Sequence, residues 1–179
     1  MRKLILLLAL LPACAFAHDW NVDMAKSGLG FDGMYQGGAF AGKFGKWTAA
    51  IGYDETDLAH AKFDVTVQLA SVDTGSGERD QTLATPDFFD TSKFPQAHFV
   101  TSGFNRGADG GVTANGMLTI RGQEKPVVLK VKFAVSNGVT TLDVSATLNR
   151  LDFGLGSSGD WDDISRDINV HGHLVLTAK

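Results

Sequence analysis

Cysteine is nearly absent from this chain: the single one, Cys14, stands close to the first residue. An internal disulfide is therefore excluded, and stability has to come from a packed core, which a chain of this length can build. Proline is scarce as well, at four residues. No proline-rich or charge-rich stretch marks a linker after the first residues, so one domain is the economical reading. Runs of Lys and Arg are missing, and acidic residues outnumber basic ones by 20 to 16. That argues against a nucleic-acid partner, because phosphate binding needs clustered cations. The longest apolar run, Leu4 to Leu11, covers eight residues, whereas a bilayer-spanning helix takes about 20. No transmembrane segment is expected, and the mature product reads as soluble. Also missing are a nucleophile elbow, a Ser-His-Asp ordering and clustered carboxylates in apolar surroundings, so the chain reads as non-catalytic.

What is present begins with a leader. Arg2 and Lys3 open it, Leu4 to Leu11 form its apolar part, Pro12 breaks the run, and Ala15-Phe16-Ala17 is the small-x-small site that precedes cleavage. Residues 1–17 are thus expected to be a signal peptide, with residues 18–179 the mature domain and the periplasm its destination. Losing Arg2 and Lys3 takes the formal net charge from −4 to −6. Leu11-Pro12-Ala13-Cys14 loosely matches a lipoprotein box, which leaves a second start open at an acylated Cys14.

From Trp20 onward the pattern is β. Phe63, Val65, Val67 and Leu69 alternate with Asp64, Thr66 and Gln68, the period of two that divides a strand into an apolar and a polar face. Further strands are predicted from Ser27, over 39–53, 112–121, 127–135, 139–153 and 169–178. In the segment 39–53 the apolar parity changes between Phe44 and Trp47, so a bulge is expected near Gly45. Gly37-Gly38, Gly110-Gly111, Gly122 and Asn137-Gly138 read as turns, the last with the strongest tight-hairpin signal. A short helical crossing is expected over 54–61. Roughly eight antiparallel strands joined by hairpins argue for an up-and-down barrel or a sandwich.

Between Ser71 and Phe99 the alternation stops. Ser76 is placed to cap a short helix over 78–84, and Thr85-Pro86-Asp87 reads as a second helix start. Ser71-Val72-Asp73-Thr74-Gly75, Arg79-Asp80, Asp87-Phe88-Phe89-Asp90 and Phe94-Pro95 follow in order. Gly116 to Gly122 with Pro126-Val127, and Leu151-Asp152-Phe153-Gly154, continue the series. In this order and spacing the chain resembles the YceI-like polyisoprenoid-binding proteins along nearly its whole mature length. The resemblance implies an all-β, lipocalin-like, extended eight-stranded antiparallel barrel with short helical insertions. It also implies periplasmic binding, transport or storage of a long isoprenoid lipid or isoprenoid quinone, with no other cofactor. Lys26-Ser27 and Gly33-Met34-Tyr35-Gln36 stand where many members carry histidines, so any head-group contact made by those histidines has no counterpart here.

Alternation alone leaves open whether such a barrel is solid or hollow. With the resemblance, the expected cavity lining is Phe40, Phe44, Val65, Val67, Leu118, Ile120, Leu129, Val131, Phe133, Val144, Ala146 and Leu148. Arg79-Asp80 reads either as a contact for a polar ligand end or as an anchor in which Arg79 pairs with Asp80, Asp87 or Asp90. Arg121 has the same two readings. The 154–159 loop lacks the lysine and helix start of a phosphate loop and reads as a long turn, with Trp161 packing back on the barrel. A rival function, copper or zinc binding, would use His18, His171 and His173; the two strand histidines share a face, which the parity of Val170, Leu174 and Leu176 makes the outer one. Assembly as a homodimer is left open.

Overall fold

The computed structural model describes residues 18–179; the expected signal peptide and Cys14 lie outside the described residues. Eleven strand segments and one α-helix follow in the order β1 (Asp19–Val22), β2 (Gly28–Tyr35), β3 (Gly38–Phe44), β4 (Trp47–Gly52), β5 (Lys62–Gln68), β6 (Val72–Asp73), α1 (Gly77–Ala84), β7 (Gln96–Arg106), β8 (Val112–Ile120), β9 (Gln123–Ser136), β10 (Val139–Asn149) and β11 (Asp167–Ala178). All pairings are antiparallel, and they form one sheet.

That sheet closes into a barrel of eight staves. β11 is paired by β1 at its C-terminal end and by β2 further back, so β1 and β2 are two halves of one stave bent at 23–27. β3 and β4 form a second bent stave: β3 pairs β2 while β4 pairs β1 and β5. The break falls at Gly45-Lys46, where the parity change calls for it. Ser71 fills the gap in the ladder. Its carbonyl accepts from the Gly45 amide at 3.0 Å, and its Oγ accepts from the Lys46 amide at 3.0 Å. The remaining staves are β5, β7, β8, β9, β10 and β11.

Three hairpins turn on two residues with positive φ: Gln36-Gly37, Arg121-Gly122 and Asn137-Gly138. Two left-handed residues in succession match the twist of the flanking strands. The first turn is therefore Gln36-Gly37, and Gly38 already begins β3.

Several local expectations are corrected. The 54–61 crossing is a pair of turns, because Asp54 accepts from the amide and hydroxyl of Thr56 and so closes a tight loop of its own. α1 forms with Ser76 as its N-cap, accepting from the Arg79 amide. The second helix does not form: the Thr85 hydroxyl donates back to the Thr82 carbonyl, and Asp90 at φ 49 turns the chain. The strand predicted to run through 153 ends at Asn149, whose side chain accepts from the Leu151 amide and starts a 3-10 turn.

The interior has two unlike halves. Around β1, β4 and the paired stretches of β8 to β11 it is filled by Trp47, Ile51, Tyr53, Phe63, Val112, Ala114, Val131, Leu142, Leu174 and Leu176. Tyr53, Phe63 and Leu142 are almost wholly enclosed there. Aromatic edges and faces interlock, with Phe63 and Phe104 T-shaped at 4.9 Å and Tyr53 against Phe133 at 5.2 Å. Replacing Phe63 with alanine (F63A) removes a ring from this packed half. The expected loss is about 3–5 kcal/mol of stability, measured by denaturant unfolding; a loss below about 1 kcal/mol would show that this half is not close-packed.

Candidate ligand-binding cavity

The other half of the barrel is hollow. A cavity of about 640 Å³ opens there, within the size range of sites that enclose small ligands. Its walls are inward rows of strand residues: Phe40 and Phe44 from β3, Val65 and Val67 from β5, Ala97 and Phe99 from β7, and Leu118 and Ile120 from β8. Val127 and Leu129 from β9, Val144 and Leu148 from β10, and Ile168 and Val170 from β11 complete them. Most of these side chains are only half-buried although they point inward, because they face the cavity rather than one another. Gly116 shapes the wall at β8. A Cβ there would lie 2.5 Å from the Phe99 ring and from the Val100 carbonyl, so only glycine lets that ring lie flat across the strand.

Nine of the twelve residues expected to line a cavity do so: Phe40, Phe44, Val65, Val67, Leu118, Ile120, Leu129, Val144 and Leu148. Val131 and Phe133 belong instead to the packed half, where they pair with Val112 and Leu142. They share the parity of Leu129 but sit further along the barrel axis. Ala146 has the inward parity too, but it is not among the residues that line the cavity. The sequence pattern contained a signal for Phe99, Ile168 and Val170, which alternate within their strands. Alternation gave none for Leu83, Phe88, Trp161 and Ile164, which reach the cavity from non-strand segments.

Those segments form the mouth. β9 and β10 part company beyond the Lys130–Ser145 pair, and the turn over 150–153 fills the opening with the buried ring of Phe153. The chain from 154 to 166 then folds across the rim, held from within by Arg150. This guanidinium is 5% exposed and has no carboxylate partner within salt-bridge range among the described residues. Its five N–H groups donate instead to five backbone carbonyls. Nε donates to Ser165, Nη1 to Leu155 and Gly156, and Nη2 to Trp161 and Ile164. Burial pulls its pKa down, while the charge of Asp162 works in the opposite direction. At φ 57, with Phe88 and Arg150 both about 3 Å from where a Cβ would sit, Gly156 is the residue that fits beneath this clamp. Trp161 packs back as expected, T-shaped on Phe88 at 4.9 Å, with its indole N–H donated to Asp87.

α1 also stands at the rim, with Ser76, Glu78, Arg79, Thr82 and Leu83 along the cavity edge. Arg79 is not paired as the anchor reading required. Asp80 accepts from the amide and hydroxyl of Thr74, Asp87 receives the Trp161 indole, and Asp90 is bridged to Lys93 at 3.1 Å. Arg79 lies over the Phe40 ring instead, 5.8 Å from its centroid. For Arg121 the anchoring reading holds, since its guanidinium donates to the Gly154 carbonyl across the turn.

The three histidines of the copper or zinc reading are not brought together. His171 and His173 are on the outer face as expected, each beside a different aspartate, Asp32 at 3.7 Å and Asp143 at 2.6 Å. His18 precedes β1, beyond the end of β11 where Trp20 faces Ala178, while His173 faces Gly28. Five residues of strand, about 17 Å, separate those two positions. No group of three metal-ligating side chains converges among the described residues.

Against this geometry stand the relatives. A model of the YceI-like domain matches residues 20–176. A UPF0312 protein of Shewanella baltica is 33% identical over 132 residues, covering 72% of this chain and 69% of its own length. One from Vibrio cholerae is 27% identical over 177 residues, covering 90% of both. Among solved structures, Burkholderia cenocepacia BcnA superposes with a TM-score of 0.82 at 28% identity, over 88% of this chain and all of that one. A polyisoprenoid binding domain from Saccharophagus degradans, implicated in plant cell wall breakdown, gives 0.67 at 15% identity, over 92% of this chain and 100% of its own; the likeness there is one of fold.

Replacing Arg150 with methionine (R150M) removes the side-chain donor from five carbonyls. The expected result is faster hydrogen exchange of the amides between 155 and 165, with β8 amides unchanged. Unaltered protection of that segment would show that the clamp does not hold the rim.

Proposed function

This chain belongs to the YceI-like domain family, and on that premise we propose that it is a non-catalytic carrier or store for an apolar chain, held in the hollow half of the barrel. The ligand in this reading is an isoprenoid lipid or isoprenoid quinone, and the place of action is the periplasm, reached by way of the leader over 1–17. One observation carries the proposal: a cavity whose walls are Phe, Leu, Ile and Val on strand after strand, with most of its polar side chains supplied by α1 with its cap and the 150–164 segment. Such a wall offers a tail no hydrogen bonds to satisfy. Ten buried methylenes contribute about 8 kcal/mol of gross transfer free energy, enough to favour the cavity over water. A binding role for a polyisoprenoid is also what the Saccharophagus degradans domain is named for.

Native mass spectrometry of the protein exported from its full-length form and purified mildly tests both parts. The expected spectrum shows a polypeptide beginning at His18, with a bound lipid that solvent extraction releases. The stripped protein should reload from a polyprenol or ubiquinone, and filling the cavity by Leu148→Trp (L148W) should weaken that uptake about tenfold. A protein that carries no lipid and takes none up contradicts the carrier reading. A start at acylated Cys14 contradicts the proposed leader cut.

A further inference from the structure

The packed half of the barrel closes one end of the cavity. Leu29, Val67, Leu129 and Val144 are the boundary layer, touching the cavity on one side and the filled core on the other. A tail that enters from the rim runs toward this packed layer, which keeps the polar end of an amphiphile at the rim. The character of the rim then decides which head group is accepted. Polar rim residues come chiefly from α1, and two arginines line the cavity as a whole, Arg79 and Arg150. Arg150 has committed all five N–H groups to carbonyls. Arg79 has not. Its neighbouring aspartates are occupied by other partners, and Glu78, which shares the cavity edge with it, makes no ion pair with it. Its guanidinium rests on the Phe40 ring, itself part of the cavity wall. This places a cation and its donors beside the apolar entrance, on a protein whose net charge is otherwise negative.

We propose that Arg79 is the head-group residue of this cavity, and that the site takes amphiphiles with an anionic head, such as a phosphate or carboxylate on an apolar tail, in preference to neutral ones. The inference rests on the lipid-cavity reading. Phosphate and carboxylate match the planar fork of a guanidinium, and such charge-assisted hydrogen bonds are roughly twice as strong as neutral ones. The cation–π contact with Phe40 favours this place for the side chain without consuming its donors.

Calorimetric titration of the lipid-free protein with geranylgeranyl phosphate and with geranylgeraniol separates head from tail. The wild type is expected to bind the phosphate about tenfold more tightly than the alcohol, a preference that weakens as salt is raised. In Arg79→Gln (R79Q) the preference should fall to about one, with the alcohol's affinity unchanged, and Arg79→Lys (R79K) should restore part of it. A purely structural Arg79 would move both ligands together. An R79Q protein that keeps the wild-type preference, or a wild type with none, overturns the head-group assignment while leaving the cavity reading intact. Binding of neither ligand overturns the cavity reading, and this assignment with it.

Discussion

An eight-stranded barrel that leaves half its interior empty can stay closed only if the other half is packed densely enough to hold the sheet together. Eight strands enclose just enough space to be filled by side chains or to hold one small ligand, and this chain does each at one end. The division follows from residue size along the axis. Where Trp47, Tyr53, Phe63, Phe104 and Phe133 meet, their rings fill the lumen. Toward the mouth the inward positions pass to Val65, Leu118, Val144 and Val170, which stop short of the axis. The stability of the fold and the room for a ligand are thus drawn from different stretches of the same strands.

The motifs that mark the family serve this arrangement mostly from outside the cavity. Ser71 closes the ladder at the Gly45-Lys46 break, Asp73 pairs with Lys43 at 3.3 Å, and Thr74 ties the start of α1 through Asp80. Asp90 turns the chain with positive φ and holds Lys93, while Arg121 donates to the turn at Gly154. Other motif residues do reach the cavity: Arg79, Phe88 and Phe89 from the insertion, Leu118 and Ile120 from β8, Val127 from β9 and Phe153 from the turn after β10. Arg150 shows the same economy. A buried cation is costly unless its donors are met, and five carbonyls from one crossing segment meet them while fixing that segment over the rim.

Much of this was legible in the residues, because a half-buried strand writes its faces into alternation. The parity change between Phe44 and Trp47, the outward placement of His171 and His173, and the Asn137-Gly138 hairpin all follow from local pattern and local sterics. Parity has no axial coordinate, however. It could not tell Leu129, which lines the cavity, from Val131 and Phe133, which are packed away, since all three point inward from β9. Nor could it foresee Arg150, whose role depends on five carbonyls that come together only in the folded chain. The helices expected over 54–61 and after Thr85 failed for a related reason: Asp54 and Thr85 have cap chemistry, but each spends it on a nearer turn partner.

The central claim is that ligand enters one half of the barrel and leaves the other undisturbed. Methyl NMR on the lipid-free protein, titrated with a polyprenol, tests it most directly. The predicted result is that the methyl signals of Val65, Leu118, Val144 and Val170 shift on binding while those of Val112, Leu142 and Leu174 stay in place. Shifts confined to the outer valines Val128 and Val135, or centred on Leu142 and Leu174, would contradict it.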